Sequence, residues 1–210
     1  MQITLIGQTD KRPVIYTLLK MMENMGDCCY ITNDRKACRL MEEGPGMSGT
    51  YRDIDIFVLD TTADDMWTDI GYAPSDYEFI ILDNLYNEMT DLIIYVKGAG
   101  DAEEDMEVLD VFEPGEYVTI KMGKPDKAKR GGIGLGKGKS KSKAKQPSED
   151  AHKTYNIPYS AGMMENIEYS EFFKQLKPAS QAALKVCAEL LAGKVNVSAK
   201  NLGKVATTKR

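Results

Sequence analysis

Six short runs of near-continuous apolar residues, each closed by a polar residue or glycine, constrain this chain more than any other feature. They are Ile3–Ile6, Cys28–Thr32, Asp55–Asp60, Tyr77–Asp83, Asp91–Lys97 and Tyr117–Lys121. A strand with one wet face alternates apolar and polar side chains, whereas a strand apolar along its whole length is covered on both faces, as in a parallel sheet between helices. Between the first two runs, Pro13 suits the first turn of a helix, where its missing N–H costs nothing. Behind it Val14, Leu18, Met21, Met22 and Met25 recur at helical spacing, and Gly26 is the expected stop. The spacing predicts strand, loop, helix, strand. A short helix is expected through Asp34–Glu43, ending at Gly44-Pro45-Gly46. The predicted fold class is α/β, a mainly parallel sheet flanked by helices.

Charge is segregated along the chain. Residues 1–123 carry nine basic and twenty-five acidic side chains, a net −16, while residues 124–145 carry nine basic and one acidic, a net +8. Lys, Gly and Ser fill that second segment almost to the exclusion of apolar side chains, so it offers no area to bury against the entropy of ordering. It is expected to be a flexible basic loop, spanning 124–150, within a domain covering 1–192. Order is expected to resume at Tyr155-Asn156-Ile157-Pro158-Tyr159. A helix follows over Pro178–Ala192, carrying Ala182, Leu184, Val186, Leu190 and Leu191, with Gly193 as its stop. The basic, small-residue-rich stretch Val195–Arg210, within a tail over 193–210, is expected to fray.

Composition narrows the chemistry. Four cysteines include the adjacent pair Cys28-Cys29 and no CxxC, which suggests neither a zinc site nor a disulfide framework, so they read as buried thiols in a reducing cytoplasm. A single histidine, His152, leaves almost no material for a catalytic triad or a His-based metal centre, and no metal site is expected. No apolar run approaches the roughly 20 residues of a membrane-spanning helix. The opening Met1–Gly7 has no basic region or cleavage site of a secretory signal, and the expected location is cytoplasmic.

The segment Asp76-Tyr77-Glu78-Phe79-Ile80-Ile81-Leu82-Asp83, followed by Asp91–Val96, resembles the Walker B strand and the next strand of ParA/MinD-type P-loop ATPases. Ile157-Pro158-Tyr159-Ser160, Glu165, Phe172–Lys177 and Ala182–Leu191 resemble that family's closing segment and last helix. The likeness spans roughly residues 1–192 and rests on the order of several short matches. It implies a P-loop NTPase-like fold, Asp83 in the place of the Walker B aspartate, and a nucleotide site formed by Gly7, Thr9, Lys11, Arg12 and Asp83. A polar residue at a strand end is also ordinary, and both readings of Asp83 stand. Asp34 and Asp60 are further acidic candidates at strand ends.

The departure falls on the residues that would carry chemistry. The family's loop reads KGGxGKTT, its amides around phosphate, its lysine on the phosphates and its hydroxyl on Mg²⁺. Here the loop is Gly7-Gln8-Thr9-Asp10-Lys11-Arg12-Pro13, with one glycine, an aspartate that would face phosphate, and no Ser or Thr after the lysine. Lys11, Arg12 and Thr9 remain candidate anion contacts at a helix N-terminus. The stretch Gly131–Ser140 imitates a displaced P-loop but fails by one position, since Ile133 stands where its first glycine belongs. The sequence therefore predicts a pseudo-ATPase of this type, with no cofactor expected and ATP with Mg²⁺ the less favoured outcome. Its role would be positioning, scaffolding or regulation within a larger machine such as a secretion, pilus, conjugation or segregation apparatus, through a protein partner or a homodimer. Two alternatives stand beside it. One is an active ATPase with an atypical loop. The other is nucleic-acid or anionic-membrane contact through Lys127, Lys129, Arg130, Lys137, Lys139, Lys141, Lys143 and Lys145, although no aromatic is interleaved there for base stacking.

Overall fold

The computed structural model describes residues 1–40, 47–60, 65–98, 112, 116–123, 153–159 and 167–207. Its strands are β1 (Gln2–Ile6), β2 (Cys28–Thr32), β3 (Ser48–Tyr51), β4 (Ile54–Val58), β5 (Phe79–Asp83), β6 (Leu92–Gly98), β7 (Tyr117–Met122) and β8 (Thr154–Ile157). The helices are α1 (Arg12–Met22), α2 (Met66–Ile70), α3 (Tyr169–Gln175), α4 (Lys177–Ala192) and α5 (Ala199–Thr207), with 3-10 turns over Arg35–Leu40 and Pro74–Asp76. All eight strands form one sheet in the order β3-β4-β2-β5-β1-β6-β7-β8. Every pairing is parallel except β3 with β4. The predicted fold class is therefore the observed one.

Near-continuous hydrophobicity has the expected cause. Alternate residues of β2, β4 and β5 enter two different cores. Ile3, Leu5, Tyr30, Ile56, Ile81, Ile94 and Val96 face a large core closed by α1, α3, α4 and α5. Cys29, Ile31, Phe57, Leu59, Ile80 and Leu82 face a smaller one shared with Met66 and Leu85. Cys28, Cys29 and Cys187 are buried free thiols. Burial pushes Cys28 and Cys187 up to about 12, and with the helping charge of Asp55 at Cys28, so neither is a nucleophile at neutral pH.

Three expectations need correction, and one strand is new. Helix α1 stops at Met22, and the Glu23 amide closes its last turn on the Leu19 carbonyl, three residues before Gly26. The helix expected from Asp34 is a 3-10 turn over its described part, since residues 41–46 lie outside the described set. Strand β3 was not foreseen: it joins β4 through Arg52 and Asp53, both at positive φ (49° and 64°), in a two-residue turn lacking the Asn-Gly signature that announces one. Lastly, the stretch expected to fray carries α5. The Ser198 carbonyl accepts the Leu202 N–H at 3.0 Å, and Leu202 is fully buried against the core beneath α1 and α4. The basic segment from residue 124 and His152 lie outside the described residues.

Candidate functional site

The chain leaves β1 toward β2 on one side and returns through β5 before crossing to β6 on the other. Strand order therefore reverses around β1 and β5, and in open α/β sheets the crevice at the carboxyl ends of such strands is where ligands bind. Two loops meet there. Gly7, the first residue after β1, has φ 135°, and a Cβ on it would lie 2.0 Å from the Val96 carbonyl oxygen, so only glycine fits. Its N–H donates to Asn84 Oδ1 at 3.1 Å, and the Asn84 N–H donates to the Leu5 carbonyl at 2.8 Å. Asn84 itself sits in the left-handed region at φ 54°, which asparagine tolerates better than most residues. The ends of β1 and β5 are thus stitched together.

Lys11 occupies the cap position of α1 and turns inward. Its ammonium donates to the Gly7 carbonyl and lies 3.0 Å from Asp83 Oδ1, with both side chains only 6% exposed. Asp83 Oδ2 accepts from Tyr30 Oη and Thr32 Oγ1, each at 3.0 Å. The register explains the convergence, because Thr32 is paired with Asp83 across β2 and β5, and Tyr30 points to the same face two residues earlier. Burial, and then the Asp83 charge, pushes the Tyr30 phenol well above its ordinary value, so it remains a donor. Asp83 Oδ1 makes no hydrogen bond: the lysine contact supplies charge at close range but lies off the hydrogen-bond direction.

A second cluster sits in the same loop, at the start of α1. Asp10 Oδ1 accepts from the Arg12 backbone N–H at 3.1 Å and from Arg12 Nε at 2.8 Å. Its Oδ2 accepts from Arg12 Nη2 at 2.6 Å and from the Tyr159 hydroxyl. Burial would raise the Asp10 carboxyl, but the bonds from Arg12 and Tyr159 and the Arg12 charge outweigh it and hold it below the ordinary value. Tyr159 is displaced upward, by burial and by its bond to Asp10.

Of the residues singled out in the sequence, Gly7, Lys11 and Asp83 come into direct contact. Arg12 is turned onto Asp10, and Thr9 stands half-buried in the same loop. Asp60 is engaged elsewhere, in an exposed pair with Arg35, and the Asp34 N–H is bound by Thr32 Oγ1 at 2.9 Å. Lys127, Lys129, Arg130, Lys137, Lys139, Lys141, Lys143 and Lys145 lie outside the described residues. Tyr30, Thr32, Asn84 and Tyr159 were missed. Tyr30 and Thr32 had a legible signal, two polar-tipped residues at i and i+2 near the carboxyl end of an otherwise apolar strand. Among the described residues no group of His, Cys, Asp and Glu is placed to hold a metal ion, and no helix is long and apolar enough to cross a membrane.

No family model matches the sequence, and no curated protein matches it. Solved structures do share the fold. A MinC:MinD cell division protein complex from Aquifex aeolicus aligns with a TM-score of 0.57 at 11% identity, covering 94% of this chain and 98% of the other. The MinD cell division protein of the same organism aligns at 0.54 and 11% identity, over 91% and 97% of the two chains. A protein described as a plasmid partition protein from Borrelia burgdorferi B31, bound to AMPPNP, aligns at 0.53 and 11% identity, over 92% and 99%. The chain is similar in fold to these proteins over nearly their whole length.

Proposed function

We propose that this chain is a ParA/MinD-like module that acts by holding a protein partner, in positioning or regulating a larger assembly, and does not hydrolyse ATP. The observation that carries the reading is the engagement of Lys11. An ammonium that serves a triphosphate must be offered outward, whereas this one is buried on the Gly7 carbonyl and Asp83. The loop supports the same conclusion. Asp10 places a carboxylate at the start of α1, and the residues after Lys11 are Arg12 and Pro13, which supply no hydroxyl for Mg²⁺. The residues present therefore do not fit a Mg²⁺-triphosphate. Partner binding draws on the fold likeness, one neighbour having been solved as a MinC:MinD complex. A secretion, pilus, conjugation or segregation apparatus is the class of machine the resemblance suggests.

Titration with a fluorescent ATP analogue and Mg²⁺ tests the reading. The expected result is no saturable binding in the micromolar range and no phosphate release. Saturable binding that disappears on removing Lys11, accompanied by phosphate release, would establish the atypical-ATPase alternative, and the same binding without turnover would make the chain a nucleotide-sensing pseudoenzyme. Because Lys11→Ala alone strands the buried Asp83 charge, at a cost of about 3–5 kcal/mol, the double variant Lys11→Ala/Asp83→Asn is the control to use.

A second reading, contact with nucleic acid or an anionic membrane through residues 124–145, is favoured by the segregation of a net +8 there from a net −16 over residues 1–123.

A further inference from the structure

At the amino ends of β2 and β4, the opposite end of the sheet from Gly7, Lys11 and Asp83, a cavity of about 160 Å³ opens beside the β3–β4 turn. One wall is aromatic. Tyr72, 51% exposed, meets the Phe57 ring at 5.8 Å and the Tyr77 ring at 6.1 Å, and Tyr77 carries the row on to Trp67 at 6.4 Å. Single exposed apolar residues are ordinary, whereas a contiguous row of rings reaching the surface marks a place of contact. At about 160 Å³ the cavity is well below the roughly 300–1,000 Å³ of small-molecule sites and suits one side-chain head.

Charge selects the kind of head. Asp27, Asp53, Asp55 and Asp76 line the cavity, and among the described residues no lysine or arginine does. Tyr77 Oη donates to Asp55 Oδ2 at 2.8 Å, and the Ala73 N–H donates to Asp76 Oδ2 at 2.8 Å, which holds both carboxylates in place. Arg52, next to Asp53 in the chain, is turned away over the Tyr51 ring, 5.6 Å from its centroid, and toward Glu23. The turn that separates these two charges is strained: Arg52 and Asp53 stand at φ 49° and 64°, where glycine sits at no steric cost. Strain kept where a glycine would remove it points to a side chain in use. No group of His, Cys, Asp and Glu among the described residues is placed to hold a metal ion, so the cation these carboxylates suit is a broader one. A guanidinium stacks on a tyrosine face and gives its N–H fork to carboxylates. We propose that this slot docks an arginine-bearing basic segment of a protein partner, with Tyr72 as the stacking wall and Asp53, Asp55 and Asp76 as the acceptors. The net −16 over residues 1–123 draws such a segment in.

The inference rests on the reading that the chain acts by holding a protein partner, and it names that partner's chemistry. The probe is a short fluorescent peptide of alternating arginine and glycine, titrated into the full chain at physiological salt and followed by anisotropy, with glutamate in place of arginine as the control. The arginine peptide should bind saturably and the glutamate peptide should not bind. Tyr72→Ala removes an exposed ring and should weaken binding by at least about threefold. Asp53→Gly should weaken it about two- to fivefold while the protein melts no lower than wild type, because glycine relieves the turn. A carboxylate kept only for the turn would leave binding unchanged. Glu88→Gln, exposed in the loop after β5, should leave binding at the wild-type level. No binding to the wild-type chain, binding indifferent to both Tyr72 and Asp53, or an equal loss in Glu88→Gln overturns the proposal. So does binding that appears only when residues 124–145 are deleted, since the chain's own basic segment is then the occupant. Failure of the broader reading would look different, as Mg²⁺·ATP hydrolysis by the wild-type chain with peptide binding at this slot unaffected.

Discussion

At the scale of single residues, the loop after β1 is decided by backbone clearance and charge matching together. Gly7 is required by both its φ of 135° and the approach of the Val96 carbonyl. Gly7→Ala should destabilise the fold by roughly 3 kcal/mol or more, measured by urea unfolding, since neither the dihedral nor the clash relaxes without moving β6. Asp10 sets a pH dependence whose sign follows from its depressed pKa. A carboxyl lowered on folding from its ordinary 3.8 stabilises the native state above that value, and the contribution disappears as pH falls through the folded value. Acid unfolding monitored by circular dichroism should therefore steepen below about pH 4 in the wild-type chain. Asp10→Asn should be less stable by about 1–2 kcal/mol at pH 7 and flatter over the acid limb. An identical acid limb in both proteins would mean that the Arg12 and Tyr159 bonds contribute nothing.

Among the elements, those that escaped sequence reading are held by partners remote in the chain. Helix α3 is only seven residues long, and it is fixed by aromatic packing. The Tyr169 ring meets Tyr16 of α1 at 5.2 Å and Tyr51 of β3 at 5.0 Å, both edge-on, and this pins the β3–β4 hairpin to the main core. Helix α5 shows the same dependence, with its buried Leu202 as anchor. Leu202→Ala should cost about 2–5 kcal/mol. In a chain of this length that lowers the melting temperature by roughly 5–15 °C. A melt unchanged by Leu202→Ala would return this segment to the frayed tail its composition suggests.

Across the whole molecule, the charge pattern predicts behaviour that the fold alone does not. The nine cations of residues 124–145 can be offered to a polyanion while the acidic remainder keeps other surfaces away from it. In gel-shift and liposome assays the intact chain should bind weakly and without sequence preference, losing retention steeply between about 50 and 200 mM salt as released counterions are replaced. A deletion of 124–145 should abolish the effect. Equal retention of both proteins at low salt would remove this reading and leave partner binding by the folded domain.

How much of this was legible beforehand depends on the range of the interactions involved. β1, β2, β4, β5, β6 and β7, the start of α1 and nearly all of α4 could be read from the sequence, because apolar runs, helical spacing and a proline at a helix start are local signals set by burial and backbone sterics. Gly7, Lys11 and Asp83 could also be named, since strand ends and the loop between them are visible in one dimension. What the tertiary structure alone decided is which charge answers which. Parallel pairing of β2 with β5 brings Tyr30 and Thr32 onto Asp83, and the entry of β8 at the far edge brings Tyr159 onto Asp10. Those contacts join residues about fifty to one hundred and fifty positions apart. An ion pair or hydrogen bond constrains geometry only once the backbone has placed both partners, so no local pattern encodes it.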